Sequence, residues 1–377
     1  MKVILSRKGF DLKHGGMPSP ILPDGTLLLL PQPNEIGYLK YDELFYDNQS
    51  YLDIITSLKP KLSTTLKHAK CFPNPDIQKG IYLTPPDWKP AYGQYGPSES
   101  HLDSQHVSVG DIFLFYGWFR QTEYANDGTL RFISDAPDLH VIFGYLQIGA
   151  IIKNNNYIAK KYHWHTNAHI DNSHKKHNTI YIPTKKLSYN NQQRGYGLLR
   201  YSQKLVLTKE GAPYSRWNLP DFFRRPDVTI SYHNNITNGF IPGKDYFQSS
   251  PIGQEFVING TFDLKDWVHQ LIIDDHYSLR YKDISHKLNT ITHINHPDCN
   301  GKVYCRKKNK IIEIDSTACK LCKGLRNILN DNTVECCWKD YAPFDLDSFQ
   351  VTNPSEEYQR VNWLIEKQFI PNSSELE

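Results

Sequence analysis

Two cations and two carboxylates crowd the first turn of this chain. Arg7, Lys8, Asp11 and Asp24, with His14, Gly15 and Gly16 among them, follow a short apolar run, MKVILS. Loops set directly after buried strands are where binding and catalytic groups collect. This one offers charge of both signs, an imidazole and backbone freedom. Taken alone it reads as an anion-binding turn or as solvated charge.

A second constellation lies near the other end. Cys305, Cys319, Cys322 and Cys336 follow the spacing C-x13-C-x2-C-x13-C. A close pair bracketed by two single cysteines can gather four thiolates around a tetrahedral ion. Zinc prefers that ligand set, and its binding energy is then folding energy. Four cysteines leave no open coordination position, so the expected zinc is structural rather than catalytic. Cys299 and Cys337 are spares for the outer positions. An iron–sulfur cluster or a set of unrelated thiols are the other readings. The segments CKLCKG (319–324) and VECCWKD (334–340) are also similar to a small cysteine module appended to many bacterial proteins, which implies docking or stabilisation and no reaction.

Histidines are dense between residues 161 and 178, at His163, His165, His169, His174 and His177. Strand alternation would put His163 and His165 on one face, and His169 or Asp171 could complete a metal triad. A solvated loop or a general base are the alternatives, since an unperturbed imidazole titrates near neutral pH. Polar pairs also stand at Gln94 with His101, in GQYGPSESHL, and at Gln254–Glu255, just before the apolar FV. Trp118, Arg120 and His140 could stack on a base. Arg216, Trp217, Arg224 and Arg225 make a basic aromatic patch that suits phosphates or a solvated turn.

Most of the frame that must position these groups reads as strands. LLLLP, DIFLFYGWF, HVIFGYLQIGAII, NTIYIP and KLVLT are short apolar runs bounded by Gly, Pro, Asn and Asp. Apolar stripes predict helices within 41–58 and over 263–273, and a short helix is expected over 356–367. The expected fold class is α+β. A β-rich domain would span 1–275, a polar connector 276–298, and a zinc-stabilised, cysteine-rich module with a closing helix 299–377. VGDIFLFYGWFR (109–120) and HVIFGYLQIGAII (140–152) are similar to the central strands of PUA-like small barrels, a group that often cradles a base. A buried hairpin with core aromatics is the plainer reading of the same residues.

Composition supports a folded chain. Of 377 residues, 39% are hydrophobic and 13% aromatic, enough to bury a core. The formal charge of +3 neither demands nor excludes a nucleic-acid partner. No apolar run approaches the roughly 18–20 residues that cross a bilayer. The N-terminal stretch is too short for a signal peptide. The expectation is a cytoplasmic protein with no membrane partner, whose thiols are reduced or metal-bound.

Several short motifs in order carry a family resemblance: SRKGFD (6–11), PSPILPDGTL (18–27), GQYG with SHL (93–96, 100–102), VGDIFLFYGWFR (109–120), HVIFGYLQIG (140–149), HWH (163–165), NTIYI (178–182), WNLP (217–220) and GQEFV (253–257). Together they resemble the nucleotide modification associated domain 3 family over about 1–270. The resemblance implies a role in systems that modify DNA bases, often beside phage defence or mobile-element conflict, with a nucleotide or DNA as ligand and modification enzymes as partners. It supplies no defined reaction. The motif residues Asp11, His101, His165 and Glu255 are the candidates for catalysis. Arg7, Lys8, Asp24, Gln94, Asp111, Trp118, Arg120, His140, Asn178, Tyr181 and Gln254 are the candidates for holding a nucleotide. TPPDW (84–88) departs from the family in lacking a His–Asp pair. Three functions stay open: an enzyme acting on a nucleotide or DNA base, a non-catalytic module that recognises modified bases for a partner enzyme, and a structural subunit.

Overall fold

The computed structural model describes residues 1–170, 175–231, 240, 243–249, 255–260, 262–273, 289–314, 322, 324–330, 332–340 and 348–366. The chain divides into two compact units, Met1–Ile273 and Asp274–Glu377.

A ten-stranded sheet organises the first unit. Its strands are β1 (Val3–Arg7), β2 (Ser19–Ile21), β3 (Tyr92–Gln94), β4 (Ile112–Tyr124), β5 (Leu130–Phe132), β6 (Leu139–Ile152), β7 (Thr179–Pro183), β8 (Tyr196–Leu198), β9 (Thr229–Ile230) and β10 (Glu255–Asn259). The path runs β9–β10–β1–β4–β6–β7–β3, with β2 and β5 added on β4 and β8 on β6. β1 lies parallel to β4 and antiparallel to β10. The two longest strands, β4 and β6, are the apolar runs read from the sequence, paired antiparallel around a bulge between Ile142 and Gly144. Both faces are covered: Ile112 through Phe119 are buried without a break.

The sheet is strongly curled. β3 ends the path, yet the Tyr92 ring packs on Phe113 and Phe115 of β4, at 4.8 and 5.1 Å between centroids. Its hydroxyl reaches Ser6 on β1 and Glu255 on β10. Side chains therefore meet across a concave face, but among the described residues the backbone ladder forms no closed barrel.

Helices of this unit include α1 (Tyr51–Leu58), α2 (Gly96–Ser104) and α3 (Phe262–Ile273). The helix expected within 41–58 occupies only its last 8 residues. Phe45–Tyr46 and Gln49–Ser50 pair instead as a hairpin. Asp47 and Asn48 form its two-residue turn with φ of 47° and 64°, the left-handed geometry that a tight hairpin demands and Asp and Asn tolerate. Ser50 then caps α1 by accepting the Asp53 amide.

In the second unit, β11 (Asn289–Asn295), β12 (Lys302–Cys305), β13 (Lys310–Glu313), β14 (Leu325–Ile328), β15 (Val334–Asp340) and β16 (Ser348–Val351) precede α4 (Pro354–Glu366). The order β14–β15–β11–β16 makes a four-stranded sheet, and β12–β13 is a separate hairpin. β11 falls in the stretch expected as connector. Ile291 and the polar His293 and Asn295 are all buried there, so the hydrophobic signal for a strand was weak. Among the described residues no helix is long and apolar enough to cross a membrane.

Candidate functional site

Adjacent residues on a strand point to opposite faces, and this parity divides the charged turn. Ser6 and Lys8 face the concave side, and Glu255, in register with Ser6, shares that face. Three donors from two segments, the end of β1 and β3, converge on one oxygen. Glu255 Oε1 accepts from Lys8 Nζ at 3.0 Å, Tyr92 Oη at 3.0 Å and Gln94 Nε2 at 2.7 Å. Gln94 also donates to the Tyr92 hydroxyl at 2.9 Å, and the Lys8 ammonium stands 4.7 Å from the centre of the Tyr92 ring. Glu255 is 4% exposed. Its second oxygen, Oε2, is buried and has no hydrogen-bond partner among the described residues. A buried polar atom left so is unusual and calls for an explanation. Burial, then the Glu255 charge, pushes the Tyr92 hydroxyl well above its ordinary pKa, so it stays a donor.

His101 braces this arrangement. From α2 its Nε2 lies 2.9 Å from Ser231 Oγ, which accepts the Val257 amide of β10. The ring also bonds to the backbone of Glu255; burial lowers its pKa while Glu255 works the other way. It fixes the strand that presents the carboxylate.

Arg7 faces the other side of the sheet, with Tyr116 in register beside it. Trp118 follows two residues on, opposite His140 of β6. Trp217 Nε1 donates to His140 Nδ1 at 3.0 Å. Burial, then the Arg7 charge, holds the His140 pKa well below its ordinary value. Trp118 stacks on Tyr214 at 5.5 Å, which closes it to an incoming base in this conformation.

Residues 2–259, which carry both clusters, match the family model described as nucleotide modification associated domain 3. The chain belongs to that family. No curated protein and no solved structure matches it.

The other motif residues of this family domain make contacts within it. Asp11 accepts the Lys13 and His14 amides at 2.8 and 2.7 Å, the His14 ring at 3.1 Å and Gln32 Nε2 at 3.1 Å. Burial opposes its charge, but these bonds outweigh it and lower its pKa; the carboxylate clamps the loop. Asp24 turns the chain onto Thr26 and pairs with Arg200. Asp111 caps the Lys2 and Ser108 amides. Arg120 pairs with Asp138 at 2.8 Å. His165 is wholly buried, its Nδ1 accepting the Asn167 amide and its ring edge-on to Phe72; burial, then His169, drives its pKa to about 3. Asn178 exchanges hydrogen bonds with Asn167. Tyr181 donates to both oxygens of Glu99 and stacks against Tyr92 at 5.8 Å. Lys8, Gln94, His101 and Glu255 are thus brought together, Tyr181 adjoins them through Tyr92, and Arg7, Trp118 and His140 form the second group. Gln254, Asp171 and His174 lie outside the described residues. His163, His165 and His169 form no group of ligand atoms within 4.8 Å.

The same unit holds a cavity of about 370 Å³. His14 and Gln32, which hold Asp11, line it, as do Asn34, Glu35 and Tyr95, the neighbour of Gln94. A wider hollow of about 750 Å³ is lined by Lys209, Arg224 and Lys244 together with Glu210, Asp221 and Asp245. Its charges cancel, so the basic patch read from the sequence makes no one-sign field there.

Tyr92, Glu99, Asp76 and Ser231 were not marked by the sequence. Burial lifts the pKa of Glu99 to about 7 against hydrogen bonds from Tyr181, and that of Asp76 to about 7 against Tyr82 and Trp88. Only the apolar neighbours Ile77, Ala91 and Leu102 hinted that these acids are interior.

In the second unit, Cys305, Cys322 and Cys336 form no group whose ligand atoms lie within 4.8 Å; tetrahedral zinc–sulfur bonds of about 2.3 Å would set sulfurs about 3.8 Å apart. Cys305 ends β12, whereas Cys336 sits within β15 opposite His293. Cys319 lies outside the described residues. The one ligand-like group found among the described residues is His293, Asp340 and Glu357. Arg360 already fills it, donating to both carboxylates, so a guanidinium stands where a cation would.

Proposed function

We propose that the concave cluster grips the hydrogen-bonding edge of a base in a nucleotide or DNA, and that Glu255 takes a proton from it in a reaction that makes or processes a modification. The observation that carries this reading is the asymmetry of Glu255. Three donors hold Oε1 and orient the carboxylate, while Oε2 keeps its accepting capacity. A base N–H or amino group placed there would give its proton to Oε2, leaving the electron pair on nitrogen for a new bond. That is ordinary general-base work by a positioned carboxylate. Lys8 helps orient the carboxylate and His101 positions its strand. The family's name supports the substrate class, and a setting of phage defence or mobile-element conflict goes with it.

The test compares cells expressing the wild-type chain with cells expressing Glu255→Gln, which keeps shape but puts a donor at Oε2. Nucleosides from their digested DNA are separated and weighed by mass spectrometry. A nucleoside that changes with the wild type and not with the variant is expected. Identical profiles, together with wild-type melting shifts on deoxynucleoside monophosphates, would replace the enzyme with a reader of modified bases that serves a partner enzyme.

A further inference from the structure

We propose that the opposite face of the sheet carries a second binding site, built from Arg7, Tyr116, Trp118 and His140, that takes a small oxyanion: the phosphate or carboxylate of a co-substrate. Its polar atoms are of one kind. Trp217 donates to His140 Nδ1, so in the neutral ring Nε2 carries the hydrogen. His140 stays neutral because burial and the Arg7 charge both disfavour the imidazolium. His140 Nε2, Trp118 Nε1 and Tyr116 Oη are therefore all able to donate, and none has a partner among the described residues. The three residues are 0%, 5% and 0% exposed.

Register brings them onto one patch. Arg7 pairs with Tyr116 and Trp118 with His140. The Tyr116 and His140 rings are 5.3 Å apart, and the Arg7 charge acts on both. A core would satisfy or avoid three buried donors, because an unmade hydrogen bond costs more than a made one gains. Three such donors beside a cation suit an acceptor-only anionic group. Tyr214, half-buried, stacks on Trp118 and meets His140 edge-on at 4.9 Å; it is the side chain that must swing for entry. The proposal does not depend on the Glu255 reading, and its assay contains no nucleotide.

The full chain is titrated with inorganic phosphate and, separately, acetate, following tryptophan fluorescence and melting temperature. Trp118 and Trp217 are the local reporters. A saturable response to phosphate alone identifies a phosphoryl group, and one to acetate alone identifies a carboxylate. Tyr116→Phe and Trp118→Phe, which each remove one donor, are expected to weaken the response by about tenfold or more. Without ligand, Tyr116→Phe should melt no lower than the wild type. No response to either anion, wild-type affinity in both variants, or a lower melting temperature of unliganded Tyr116→Phe would each overturn the proposal, the last by showing that the hydroxyl is structural.

Discussion

Lys8 and Glu255 are tied to each other more firmly than a surface pair. Their side chains are 12% and 5% exposed, and the ammonium lies 3.0 Å from the carboxylate. Water cannot readily re-solvate the survivor when one partner goes. Breaking a buried pair costs about 3–5 kcal/mol, whereas replacing both partners is often close to neutral. Lys8→Met strands the carboxylate with only Tyr92 and Gln94 and belongs near about 3 kcal/mol. Glu255→Gln keeps an amide oxygen for Lys8, so about 2 kcal/mol is expected. The double variant should fall short of the sum by about 2 kcal/mol. Urea unfolding of the full chain, followed by tryptophan fluorescence and circular dichroism, measures the cycle. The two units make separate transitions possible, so midpoint shifts are compared within the same transition. Additivity within about 0.5 kcal/mol would refute the reasoning, because the carboxylate would then be effectively solvated and Oε2 no reserved acceptor.

Burial pushes the Asp340 carboxyl up, but Arg360 and then His293 outweigh it and hold the pKa at about 2. A depressed carboxylate stabilises above its unfolded value and loses that as pH falls, so the second unit should lose about 2–3 kcal/mol between about pH 4 and pH 2; an unchanged acid unfolding curve in Asp340→Asn would contradict this. Asp76 is the opposite case: raised to about 7, it stabilises fully below about pH 4 and loses that as pH rises through 7. Melting curves from pH 5 to 8 should therefore be flatter in Asp76→Asn than in the wild type, and parallel curves would count against it. A Cβ on Gly93 would stand 2.1 Å from Asn167 Oδ1 and 2.3 Å from His165 Cε1. Gly93→Ala is thus expected to cost about 1–3 kcal/mol by overpacking, and an unaltered melting temperature would show that the amide network yields.

Local pattern carried the elements that are regular and amphipathic. The helices at Phe262–Ile273 and Pro354–Glu366 follow their apolar stripes, and β4 and β6 follow their apolar runs. It misled where a stripe arose by chance. Leu44 and Phe45 continue the spacing of α1 backwards, but Asp47–Asn48 is a turn signal that breaks it. Cysteine spacing can suggest a metal site, but only convergence in three dimensions makes one, and Cys319 lies outside the described residues. Glu255 was visible as an acid before a strand; Glu99 and Asp76 look the same in sequence as any solvated acid. Their burial is set by strands distant in the chain.

Neighbourhood in sequence was the wrong measure for the opening turn. Arg7 and Lys8 are consecutive, yet strand parity sends one to Tyr116 and His140 and the other to Glu255. Parity alone sorts residues by face, and register then names the partners across neighbouring strands. Neither predicts that Tyr92, from the far end of the path, meets Glu255. That contact needs the curl of the whole sheet, which accumulates from strand twist and the bulge at Ile142–Gly144 rather than from any motif. The two cations consequently serve different groups of donors and acceptors. A variant at Arg7 and a variant at Lys8 perturb separate faces, and a cation restored at one position has no route to replace the other.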